Sequence, residues 1–149
     1  MNYKAIPEEV LKEILLLTEA KKKIELREKA QEKFMPFAHH VYDGFIEGKH
    51  HRIIAEKLEK VARGEIKRLI VNMPPRHSKS EFASFMMPAW FLGRNPKLKI
   101  IQATHNTELA VRFGRKVRDL IADPQYQEVF PDTSLKEDSK SAGRWQTSV

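Results

Sequence analysis

Lys67-Arg68-Leu69-Ile70-Val71-Asn72-Met73-Pro74-Pro75-Arg76-His77-Ser78-Lys79-Ser80 is the stretch on which the reading of the fold turns. Its first seven residues carry a short, partly β-branched core and predict a buried strand, which Pro74-Pro75 stops. A helix is predicted from about Lys79, with Phe82, Phe85 and Met86 at helical spacing. A loop that joins a strand to a helix and ends in Lys-Ser has the form of a phosphate-binding loop. Backbone N–H groups and the helix N-terminus would face the phosphates, the flexible lysine would reach the terminal ones, and the serine hydroxyl could ligate Mg²⁺. The literal pattern G-x-x-x-x-G-K-[ST] fails twice, with Met73 and Ser78 in place of its glycines. Ser-Lys-Ser by itself also fits an ordinary helix N-cap. Only the context, a strand before and a helix after, keeps the phosphate reading level with the plain one.

Downstream, Pro88 is expected to kink or end the helix, and Gly93-Arg94-Asn95-Pro96 reads as a turn. Leu98–Thr104 predicts a second strand. A long helix follows from Thr107 to Ile121, with Leu109, Phe113, Val117, Leu120 and Ile121 inward. The remainder is rich in turn formers. Upstream, a helix from about Lys49 to Arg63 buries Ile54, Leu58 and Val61, and Gly64 stands where a left-handed cap belongs. The N-terminal helix starts at Ile6-Pro7-Glu8-Glu9, carries Val10, Ile14 and Leu17, and is expected to end at Pro36. Its second half, Glu19–Lys33, mixes charges of both signs and reads as a solvated face. Strand, loop, helix, strand, helix is a βαβ unit with one more helix, so the expected class is α/β with a parallel sheet. Two strands do not finish a sheet. The expected organisation is an N-terminal helical region over 1–47 and a partial phosphate-binding domain over 48–149.

Composition narrows the chemistry. Of 149 residues, 41% are hydrophobic, enough for a core and too many for a disordered tail. There is no cysteine, which removes disulfides and thiolate chemistry. The longest apolar stretch, Phe82–Leu92, is shorter than the roughly 20 residues of a membrane span. The net charge of +7 is uneven: residues 1–47 hold 8 basic and 9 acidic side chains, residues 48–149 hold 19 and 11. The part with the phosphate-loop pattern is thus the basic part, and a basic surface attracts polyanions.

Three ordered blocks also carry a likeness. Leu69–Ser80, Pro88–Pro96 and Phe113–Ile121 resemble the ATPase portion of bacteriophage terminase large subunits, and the similarity runs from about Tyr42 to Trp145. The resemblance implies a P-loop NTPase fold. It implies an ATP-binding portion of a DNA-packaging motor, an ATP hydrolase when whole, with ATP and Mg²⁺ as cofactors. Pro75, Arg76, His77, Ser78, Lys79 and Ser80 would hold nucleotide, with Lys79 on the β- and γ-phosphates, Ser80 on the metal and Arg76 a catalytic contact to the γ-phosphate. Implied partners are double-stranded DNA, a portal protein, a small terminase subunit and further copies in a ring. The implied location is the host cytoplasm and, transiently, the procapsid portal. The family's Walker B strand, an apolar run ending in paired acids, does not occur, so truncation and an inactive chain are expected.

Other signals are weaker. Arg112, Arg115 and Lys116 lie opposite the apolar stripe of their helix and form a candidate nucleic-acid contact, although a solvated face explains each singly. His39-His40 and His50-His51 are adjacent pairs whose side chains diverge by about 100° on a helix, poor geometry for one metal ion. Two other readings stay open: another P-loop nucleic-acid translocase or helicase, and a non-catalytic basic DNA-binding module whose loop no longer takes nucleotide.

Overall fold

A computed structural model of the chain describes residues 7–140 and 144–148. Its helices are α1 (Glu8–Glu32), α2 (Phe34–Val41), α3 (Lys49–Ala62), α4 (Met87–Arg94), α5 (Thr107–Ile121) and α6 (Pro124–Val129). A π-helical turn, Glu81–Met86, runs directly into α4. A hairpin closes the order: β1 (Leu135–Lys140) pairs antiparallel with β2 (Trp145–Thr147), Leu135 opposite Thr147 and Lys140 opposite Trp145, with an irregularity between.

The core is aromatic and interhelical. Phe34, Phe37 and Ala38 share one face of α2 and are fully buried, as the spacing of three and four residues dictates. Phe34 meets the rings of Phe82 and Trp90 edge-on, with centroids 5.2 and 5.6 Å away, and Phe37 meets Tyr126 at 6.1 Å. Each such ring contributes roughly 1.5–3 kcal/mol by leaving water. The same cluster includes Ala30 from α1 and Ile54, Ala55 and Leu58 from α3. It therefore joins residues on both sides of position 47.

Polar side chains close the helix ends inside this core. Trp90 Nε1 donates to Ala30 O at 2.9 Å, and Gln31 Nε2 donates to Val129 O at 2.6 Å, satisfying carbonyls at the ends of α1 and α6. α2 has no cap of its own, so the Glu59 carboxylate on α3 accepts from Phe34 N–H at 2.9 Å. Lys33 Nζ lies 3.3 Å from the other oxygen of Glu59, which is how a carboxylate only 8% exposed is kept paired.

The helices predicted over about Lys49–Arg63 and Thr107–Ile121 are present as Lys49–Ala62 and Thr107–Ile121, Gly64 takes φ +77°, and Asn106 caps α5 by accepting from Leu109 N–H at 2.8 Å. The N-terminal helix ends earlier than Pro36, at an extended Lys33, and Pro36 sits in the first turn of α2, where its missing N–H leaves nothing unpaired. Pro88 neither ends nor breaks its helix. An α-helical bond to Ser84 O would need the N–H of residue 88, which proline lacks. The π-helical turn spans this point, and Gln102 Nε2 donates to Ser84 O at 2.8 Å.

The α/β fold class is overturned. Neither Lys67–Met73 nor Leu98–Thr104 forms a ladder among the described residues, and the sheet present is a two-stranded antiparallel hairpin near the C-terminus. The reason is visible in the alternation. Leu69, Val71 and Met73 turn toward the helical core, while Ile70 is 85% exposed. An apolar run can cover a core with one face without pairing its backbone, and its sequence then looks like a strand's. The molecule is a small, mostly helical domain. The likeness to the terminase ATPase portion, which requires a parallel-sheet P-loop core, is overturned with it.

A candidate phosphate-binding surface

The connection between the 67–73 segment and its helix is tight and strained. Arg76 and Ser78 both occupy the left-handed region, at φ +65° and +59°. Such values cost an L-residue roughly 1–2 kcal/mol and favour glycine. They fold the loop so that Ser78 O accepts from Phe82 N–H at 2.9 Å, starting the helix at Lys79. Pro75, Arg76, His77 and Ser80 are exposed, while Ser78 and Lys79 are half-buried. His77 Nδ1 lies 2.8 Å from Pro75 O, holding the ring against the loop. Lys79 Nζ reaches back to Met73 O at 3.4 Å, a long contact that leaves most of its donor capacity unused.

α5 stands beside this helix. Lys116 Nζ lies 3.1 Å from Glu81 Oε1 and 5.2 Å from the centre of the Phe85 ring, so its charge is engaged. Arg112 and Arg115 are exposed and have no ion-pair partner among the described residues. The sequence grouped the three because they share a side of one helix. The structure divides them: Lys116 fastens α5 to the first turn after the loop, and the two arginines stay free beside it. Glu81 and Gln102, which hold these elements together, were not singled out from the sequence. Gln102 could have been, since Pro88 orphans the carbonyl four residues before it.

The histidines fall into separate settings. His39 Nε2 lies 2.8 Å from Glu47 Oε2, and Arg52 binds the other oxygen of that carboxylate. These two hydrogen bonds hold the Glu47 pKa below the ordinary carboxylate value. His40 Nε2 is 3.0 Å from Gln125 O. His50 and His51 have ring centroids 3.8 Å apart, and His51 stacks on Phe82 at 5.1 Å. No group of three metal-ligating side chains occurs among the described residues.

Among the recesses on the described surface, one of about 290 Å³ lies among Gln31, Arg94 and Phe130–Thr133, and one of about 250 Å³ lies between α3 and Leu69–Met73, with His50 at its rim. Neither is lined by Pro74–Ser80. The expectations of an ATP hydrolase and of a motor's ATP-binding portion are overturned here. Among the described residues the loop does not sit at the end of a parallel sheet, and neither of these two recesses meets it. No helix among the described residues is long and apolar enough to cross a membrane. Comparison of the chain with protein-family models, with curated proteins and with solved structures gives no match.

Proposed function

We propose that the chain is a binding module for the phosphate backbone of nucleic acid, with double-stranded DNA as the ligand. The observation that carries this reading is the juxtaposition at Glu81. The Lys116–Glu81 ion pair sets the unpaired Arg112 and Arg115 of α5 beside the helix turn that leaves the loop, whose Arg76 is exposed and whose Lys79 is half-buried. The charge balance supports it, with an excess of +8 in residues 48–149 from 19 basic and 11 acidic side chains. Loose cationic side chains on a helical surface bind phosphates without reading bases, so affinity is indifferent to sequence. Mg²⁺ enters this reading as a counter-ion to phosphate at the Ser80 hydroxyl, and ATP as a soluble carrier of the same phosphates.

The test is the salt dependence of binding to a labelled duplex, measured by fluorescence anisotropy. Each phosphate neutralised contributes about 0.9 to the slope of log affinity against log salt. Replacing Arg112 and Arg115 together by alanine should flatten that slope by about 2. Adding Arg76→Ala should flatten it further. A slope that is unchanged in the triple variant, at unchanged folding, would overturn the assignment of this surface.

A further inference from the structure

α1 is anchored at one end only. Ala30 is buried and Gln31 binds Val129 O, yet every residue from Pro7 to Lys29 is exposed. A helix of this length without tertiary contacts is marginal in water, because nucleation is costly and propagation nearly neutral. It also displays Val10, Ile14, Leu17 and Ile24, between 41% and 64% exposed, where a lone solvated helix would carry polar groups. Their spacing of four, three and then seven residues, with Lys21 filling the intermediate position, is that of a heptad seam.

We propose that α1 pairs antiparallel with α1 of a second copy of this chain. Charge decides the direction. In a parallel pair, Lys21 would face Lys21 and Glu28 would face Glu28 across the seam. In an antiparallel pair, Ile14 meets Ile24 of the second copy, Lys21 meets Leu17, and Glu13 at the edge of the seam meets Arg27. Both symmetry-related copies of each contact form at once, as an isologous interface requires. The ends agree as well: residues 8–13 hold three glutamates and one lysine, residues 19–29 hold five basic and three acidic side chains. The acidic start of each helix therefore lies along the basic stretch of the other. The register also uses the whole exposed span and stops where Ala30 enters the core. Leu11 flanks the seam; Leu15 and Leu16 lie outside it.

Sedimentation equilibrium of the full chain over a dilution series tests this. A reversible monomer–dimer equilibrium is expected. Leu17→Lys should abolish it, with an unchanged circular dichroism melt of the body because that side chain is exposed in the monomer and lies outside the core. Glu13→Arg should weaken dimerisation by about tenfold, since two pairs are lost and two repulsions gained, and Glu13→Arg with Arg27→Glu should restore it. Direction is read by oxidation, in a chain that has no cysteine of its own. Ile14→Cys with Ile24→Cys should cross-link, and Ile14→Cys alone should not. Four results would each overturn the proposal: a monomer at all concentrations, a monomer that binds lipid vesicles through α1, cross-linking by Ile14→Cys alone, or failure of the charge exchange to restore dimers.

Discussion

His51 accepts the Gly48 N–H on Nδ1 at 2.9 Å, which puts its own proton on Nε2, a buried atom with no hydrogen-bond partner. Burial lowers its pKa below the ordinary imidazole value of about 6.5, and the neighbouring His50 lowers it further. The sign follows from proton counting. Below about pH 6.5 the unfolded chain binds a proton that the folded chain refuses, so stability is full above that value and falls as the pH drops through it. The slope from one group is at most about 1.4 kcal/mol per pH unit. Urea midpoints measured from about pH 7.5 down to 5.5 should therefore decline, and His51→Leu should flatten the decline by that one-proton component. An equal decline in the variant would assign it to other groups. The sequence showed two adjacent histidines and nothing more. What buries His51 is Phe82, thirty-odd positions away, and Phe45, whose ring centroid lies 4.9 Å from it. A residue whose environment is assembled from other elements is illegible in its own neighbourhood. The loop residues Pro75–Ser80 were legible as a tight connection before a helix, because proline and serine act locally; their two left-handed angles were foreshadowed only by the glycines the pattern lacks.

Between elements, Gly93 shows how packing overrules local signals. The sequence places it in a turn, whereas it lies in the last turn of α4. A Cβ built there would lie 2.5 Å from the Phe130 ring, well inside contact distance. Phe130 is itself 5% exposed and packs on Phe37 and Tyr126 at 5.9 and 5.3 Å, so a shift toward the recess it lines would give up those ring contacts. Two effects compete in Gly93→Ala. Helix propensity gains about 1 kcal/mol, and overpacking costs roughly 1–3 kcal/mol. Overpacking wins where the ring must leave its partners to make room, so a net loss of about 1 kcal/mol is expected from chemical denaturation. A more stable variant would mean that Phe130 yields. The helices were legible because their period of 3.6 is an intrinsic property of each segment. The sheet was misread because a strand is defined by a partner, and Leu69-Ile70-Val71 carries no information on whether one exists. α6 and the hairpin went unseen because Pro124 starts a helix as readily as it marks a turn, and β1 is polar after Leu135.

Across the whole molecule, order is centred on the aromatic cluster and falls away from it. α2, α4, α5 and α6 contribute fully buried side chains, whereas Lys67–Met73 and Leu98–Thr104 lie along the outside, with Ile101 94% exposed. Backbone amides are protected from exchange in proportion to the free energy of opening, which depends on burial and on the hydrogen bond each amide makes. Helical amides of α4 and α5 should therefore exchange only through global unfolding. Those of Leu69–Met73 and Ile100–Thr104 should exchange orders of magnitude faster, since neither segment has a ladder among the described residues. The Gln102 side chain on Ser84 O bridges the two classes. It satisfies the carbonyl that Pro88 leaves open and ties the outer segment to the π-helical turn. Removing it with Gln102→Ala should cost about 1 kcal/mol, the net worth of a typical hydrogen bond. It should also speed exchange around residues 100–104 and in the Glu81–Met86 turn, leaving α2 and α6 unchanged. Hydrogen exchange read by mass spectrometry on peptides from both regions measures this directly. Slow exchange across Leu69–Met73 in the unaltered chain would mean that this backbone is paired in solution, and the helical reading of the fold would fail at that point.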